Sequence, residues 1–167
     1  MKQALIGLIA AATLAGMATP AAAQNYKAEQ VKKSVTLADL TAIVGSLGHQ
    51  LLEESSEGDI FVVAQDADGV NYFLIGTACD VNNVPGCQGI MMQVRYDLPA
   101  GTSLETIAAT NLEQAALNTW ADFTEKTLGF TRYQVLDHGV TMANIRENVI
   151  VLLSLVDEAY PMAAGKP

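Results

Sequence analysis

Residues 71–98 read NYFLIGTACDVNNVPGCQGIMMQVRYDL: two apolar runs, Tyr72 to Cys79 and Cys87 to Tyr96, around a connection rich in Asn, Pro and Gly. Runs of this length bounded by turn formers predict two antiparallel strands of a hairpin. The chain's two cysteines stand where the strands meet the connection, and the spacing predicts a staple, Cys79 to Cys87, across the mouth of the loop. Facing cysteines set the register. Ile75 then stands opposite Met91 and Phe73 opposite Gln93 on the cysteine side, while Tyr72, Leu74, Ile90, Met92, Val94 and Tyr96 point the other way. A sheet with one solvated face should alternate apolar and polar residues, yet both faces of this hairpin carry large apolar groups.

Upstream, His49 to Glu54 and Ile60 to Gln65 predict two more short strands. The turns between are Ser55-Ser56-Glu57-Gly58-Asp59 and Asp66-Ala67-Asp68-Gly69, giving a four-strand meander. Before it, Thr36 to Leu47 predicts a helix, capped by Thr36 with Asp39, striped by Leu37, Leu40, Ile43, Val44 and Leu47, and stopped by Gly48. Downstream, Thr102 and Glu105 read as a capping box opening a helix whose one face carries Leu104, Ile107, Ala108, Asn111, Leu112 and Ala115. Asn111, set in that stripe, is expected to be satisfied by backbone or a neighbour. Thr119 to Phe123 and Phe130 to Val135 predict a second hairpin with Trp120 and Phe123 as core candidates. Thr141 caps a last helix running to Tyr160 and stopped by Pro161. That helix is apolar around nearly its whole circumference, which predicts burial on more than one side.

The chain opens with Lys2, an uncharged run from Gln3 to Thr19 and then Pro20-Ala21-Ala22-Ala23. This is the pattern of a secretory signal peptide, and the small residues predict cleavage between Ala23 and Gln24. The apolar run is too short for a spanning helix, so no stable membrane insertion is expected after cleavage. Removing 23 residues from 167 leaves 144, enough for one domain. Residues 24–35 read as a flexible lead-in, 36–160 as the domain and 161–167 as a tail. The leader holds one of nine basic residues and none of eighteen acids, so the net charge moves from −9 to −10. An acid-rich chain without Lys or Arg clusters does not suit nucleic acid or an anionic membrane. In an exported chain, Cys79 and Cys87 are expected to be oxidised to each other; the spacing is not that of a redox-active C-x-x-C pair.

Several segments resemble the YbjN family. These are Leu40 to Leu47 before Gly48 and a strand start at Leu51, Tyr72-Phe73 in the third strand, and Gly101-Thr102-Ser103-Leu104-Glu105-Thr106-Ile107 running on to Asn111. Gly139-Val140-Thr141 opening a helix that contains Asn148 also matches, and cysteines bracketing the third-strand loop are similar to those of exported members. The chain departs at Thr110, where an aromatic often precedes the Asn, and in its more apolar last helix. The resemblance implies a fold similar to type III secretion chaperones, and a family of regulators or binding proteins with no catalytic residues to carry over.

Elementary site chemistry agrees. Nucleophilic catalysis needs a base held against a nucleophile, whereas His49 and His138 sit beside turns and no Gly-x-Ser-x-Gly elbow exists. Asp66-Ala67-Asp68-Gly69 begins like a calcium loop but continues with Val70 and Asn71 and has Thr77 at the twelfth position, so a hairpin turn is expected instead. No phosphate-cradling motif occurs. The expected fold class is α+β, an antiparallel sheet (four-strand meander plus second hairpin) packed with three helices, type III secretion chaperone-like. The expected function is a non-enzymatic, periplasmic or secreted binding, chaperone-like or regulatory module without cofactors. It would recognise a protein or peptide, or a second copy of itself, through Phe73, Ile75 and Met91. The alternative is a small-ligand or calcium-responsive envelope sensor using the acidic turns or Asp80, Asn82 and Asn83. Within one contiguous core, the last helix or the second hairpin would be expected to cover the Phe73 side.

Overall fold

The computed structural model describes residues 25–166; the expected leader and its cleavage point at Ala23 and Gln24 lie outside them. In chain order the elements are β1 (Val31–Lys32), α1 (Leu37–Leu47), β2 (Gln50–Ser55), β3 (Phe61–Gln65), β4 (Asn71–Cys79) and β5 (Cys87–Asp97). Then come α2 (Leu104–Glu113), β6 (Asn118–Asp122), β7 (Thr127–Val135), β8 (Val140–Thr141) and α3 (Met142–Ala163). Six strands form one antiparallel sheet in the order β2-β3-β4-β5-β7-β6, and β1 pairs with β8 beside it. The hairpin register is the expected one, with Ile75 opposite Met91 and Phe73 opposite Gln93. No helix among the described residues is long and apolar enough to cross a membrane.

One face of the sheet carries Val62, Tyr72, Leu74, Ile90, Met92, Val94 and Phe130, all fully buried. All three helices pack on that face: α1 over β2 and β3, α3 over β5 and β7, α2 against β6. α3 lies between α1 and α2, which accounts for its apolar circumference. Thr36 and Asp39 form the expected capping box of α1, and Gly48 at φ 72° supplies the left-handed residue that ends it.

Other expectations are corrected. The second hairpin does not cover the Phe73 side; it extends the sheet, because β7 pairs along β5. α3 does not cover it either. α3 runs through Pro161 rather than stopping there, since a proline in the last turn leaves unpaired only the carbonyl of exposed Asp157. The lead-in is tied down: β1 pairs with β8, and Val35, fully buried, exchanges both backbone hydrogen bonds with Cys87 at 2.9 Å.

α2 is capped by Ser103 and Thr106, not by Thr102 and Glu105. Its predicted stripe is rotated outward, with Leu104 and Leu112 being 75% and 81% exposed. Polar contacts decide the rotation. Thr106 Oγ1 reaches the Ala163 carbonyl of α3 at 3.0 Å, and Thr110 can be fully buried because its hydroxyl is satisfied within the helix by the Thr106 carbonyl at 2.8 Å. The Asn111 amide accepts from the Thr119 N–H at 2.7 Å and donates to the Thr119 carbonyl at 2.9 Å, much as a neighbouring strand would. A backbone-satisfied asparagine therefore caps part of the β6 edge. At the other edge a bulge between Leu51 and Glu53 interrupts β2.

Candidate functional site

Strand alternation places Phe61, Val63, Phe73, Ile75 and Met91 side by side on the sheet face opposite the helices. The register pairs Phe61 with Ile75 and Val63 with Phe73 as well as Ile75 with Met91. Each is half-buried by its strand neighbours alone; among the described residues no helix lies over them. Tyr133, opposite Met91, extends the patch with 55% exposure. Trp120 extends it further along β6, opposite Gly129 and anchored by an indole N–H donated to Thr131 Oγ1 at 2.9 Å. Trp120 is thus on the open face and Phe123 is exposed in the β6–β7 turn; neither belongs to the core as expected.

The three residues singled out by sequence, Phe73, Ile75 and Met91, are thus brought together on an uncovered face. Phe61 and Val63 could have been added by carrying the register one strand further. Alternation carries Arg95 to the same face, but its place over Phe73 was not legible. Its guanidinium lies 4.8 Å from the centroid of the Phe73 ring and donates from Nε and Nη2 to Gln93 Oε1 at 2.9 and 2.6 Å. Gln93 in turn reaches Met91 Sδ at 3.3 Å. A hollow of about 400 Å³ opens beside Arg95, lined also by Phe61, Phe73, Ile75, Glu57 and Asp59.

The cysteines are bonded as expected but not on this face. Ala78 at φ 49° interrupts the alternation. Cys87 joins the buried core, and its Sγ lies 2.7 Å from where a Cβ on Gly76 would stand, on the Leu74 side.

The remaining candidates are engaged locally. Asp66 Oδ1 accepts from the N–H groups of Asp68 and Val70 at 2.9 and 2.8 Å, as a turn residue does. Asp80 Oδ1 accepts from the Gly86 N–H at 3.2 Å, and Asn82 and Asn83 supply left-handed turn positions. No three His, Cys, Asp or Glu side chains among the described residues are grouped to hold a metal.

His138 is exposed, whereas His49 Nδ1 sits 2.9 Å from the buried Tyr72 hydroxyl. Burial pushes the His49 pKa below its ordinary 6.5, with Arg146 adding to this and Asp66 opposing it; burial raises that of Tyr72. The unfolded chain therefore binds the His49 proton more tightly than the folded one. The resulting stabilisation is complete above pH 6.5 and is lost as pH falls through the lower folded value. Urea unfolding at about pH 8 and about pH 5 should show the wild type losing more stability than His49→Gln over that interval. Equal losses would remove His49 from the acid response.

No protein-family model matches the chain, and no curated relative matches it in sequence. Solved structures do resemble it. YbjN from E. coli, a candidate transcription regulator, is 13% identical over 75% of this chain and 88% of that one, with a TM-score of 0.55. A chain of the ExsC–ExsE complex is 14% identical over 78% and 92%, with a TM-score of 0.52. A chain of the HopA1–SchA chaperone–effector complex is 11% identical over 77% and 98%, at 0.49. The chain has the YbjN-like α+β fold that its sequence resemblance implied.

Proposed function

We propose that the chain is a non-enzymatic, exported module that holds a protein or peptide partner on the open face of its sheet. The observation that carries this reading is the uncovered apolar floor of Phe61, Val63, Phe73, Ile75 and Met91, with all three helices packed on the opposite side. Contiguous apolar surface of this kind marks interaction sites on soluble proteins. Export is supported by the leader pattern of residues 1–23 and by the Cys79–Cys87 disulfide, which an oxidising compartment sustains. A chain of similar fold was solved in complex with another protein, which agrees with a binding role.

The test is comparative capture from periplasmic extract, with light scattering across a dilution series to register a second copy as the occupant. Phe73→Asp and Ile75→Lys should each lower partner retention tenfold or more, a change of about 1.4 kcal/mol, while circular dichroism stays native. Leu112→Asp, at an exposed leucine on the helix side, should retain the partner. The reading fails if all variants retain the same proteins, or if the wild type is monomeric and retains none.

A further inference from the structure

Arg95 stands on the open face at the rim of the hollow, with Glu57 and Asp59 lining the same hollow but neither paired with it. Among the described residues it makes no ion pair, although the chain carries eighteen acids. Its Nε and one Nη2 donor are held by Gln93, which fixes the guanidinium plane over Phe73. Both Nη1 donors and the second on Nη2 remain free, and these make the edge that grips a carboxylate with two parallel hydrogen bonds. The group is therefore oriented before any ligand arrives.

The hollow beside it is graded in charge. Arg95 forms one side, Phe61, Phe73 and Ile75 the apolar floor, and Glu57 and Asp59, both exposed on the β2–β3 turn, complete the lining. Val63 and Met91 continue the floor along neighbouring strands, so the surface suits a length of chain better than a small molecule. An extended segment directs every second side chain to the same side, at steps of about 6.6 Å. Acid, apolar residue and base at alternate positions would match carboxylate to Arg95, apolar side chain to the Phe61–Phe73–Ile75 floor, and base to Glu57 and Asp59.

Resting on the docking reading above, we infer that Arg95 selects the partner: the open face takes an extended peptide segment with an acid, an apolar residue and a base at alternate positions, its carboxylate on the Arg95 guanidinium. Arg95 sets which segment binds and in which direction it lies, while the apolar floor supplies the area.

The test uses the oxidised protein and three blocked peptides: acetyl-Gly-Asp-Ser-Phe-Ser-Lys-Gly-amide, a neutral twin with Asn and Gln for Asp and Lys, and a twin with Ala for Phe. Titrations followed by NMR amide shifts at low ionic strength should place the response at Phe61, Phe73, Ile75 and Arg95. The charged peptide should bind about threefold to tenfold more tightly than the neutral twin, the size expected of a partly solvated charge-assisted contact. Added salt should shrink that ratio. Arg95→Gln should abolish it, so that charged and neutral peptides bind the variant equally, and the Ala peptide should bind more weakly than its Phe parent. Equal affinity for charged and neutral peptides, both weakened by Phe73→Asp, overturns the inference and leaves the docking face standing. Binding of all three indifferent to Phe73→Asp overturns the docking face as well. No binding of the charged peptide at millimolar concentration, with partner capture still lost in Phe73→Asp, shows that the occupant has other chemistry.

Discussion

Cys79→Ser combined with Cys87→Ser is expected to lower the unfolding free energy by about 2 to 3 kcal/mol, on the chain-entropy account of so short a loop. The staple joins two residues that β4 and β5 already place opposite each other, with a sequence separation of 8, so the hairpin should still form. The loss falls on what lies beyond the strands. Asp80, Asn82 and Asn83 all hold φ between 53° and 61°, a left-handed conformation that non-glycine residues adopt at a cost. Gly86, at φ 85°, lies so close to the lead-in that a Cβ there would stand 2.7 Å from the Val35 carbonyl oxygen. Ser34 Oγ bonds the Pro85 carbonyl at 2.7 Å, and Val35 and Cys87 exchange backbone bonds. Opening the staple frees this loop, and the lead-in that leans on it should loosen in turn. Chemical denaturation should therefore show the wild type under reductant converging on the double variant, which reductant leaves unchanged. Hydrogen exchange should speed at Val35 and Cys87 before it does at Leu74 or Met92. A double variant as stable as the oxidised wild type would mean that strand register alone holds the loop.

The meander and its register were legible because they are local. Turn residues bound each run, and alternation on a half-buried face admits one register only. The first helix was legible for the same reason, since Thr36, Asp39 and Gly48 punctuate a continuous stripe. What could not be read is which face the helices choose. Two-sided apolarity in residues 72–96 suits a sheet covered on both sides as well as one whose second face awaits a partner. The difference depends on β7 joining β5 along nine residue pairs, a long-range pairing that no local pattern encodes. The rotation of α2 was illegible for a related reason. Its apolar residues mark one stripe, but Thr106 and Asn111 find their partners outside the helix only once Ala163 and Thr119 are in place. Of the candidate site, Phe73, Ile75 and Met91 followed from alternation. Alternation carries Arg95 to the same face, but its place over Phe73 was not legible, because it depends on a rotamer held by Gln93.

Two leucines that sequence periodicity treats alike should respond to truncation very differently. Leu152 lies at the middle of α3, fully buried, in the same core cluster as Leu74, Met92 and Phe130. Leu152→Ala removes a side chain from a layer held between the sheet, α1 and α2, where neighbours cannot collapse far into the space. A loss of about 2 to 5 kcal/mol is expected, the sum of the lost transfer energy and the cavity left behind. Leu112, on the predicted apolar stripe of α2, is 81% exposed. Its replacement by Ala should change stability by no more than about 0.5 kcal/mol, and alanine's higher helix propensity favours the variant slightly. Urea unfolding of both variants, read as midpoint with the slope checked for constancy, decides the matter. Comparable losses would place Leu112 in a buried contact and return α2 to the orientation its apolar stripe predicts. A large loss at Leu152 alone would fix α3 as the centre of the helical layer. It would also leave the Phe73 face, on the far side of the sheet, free to serve a partner without contributing to the core.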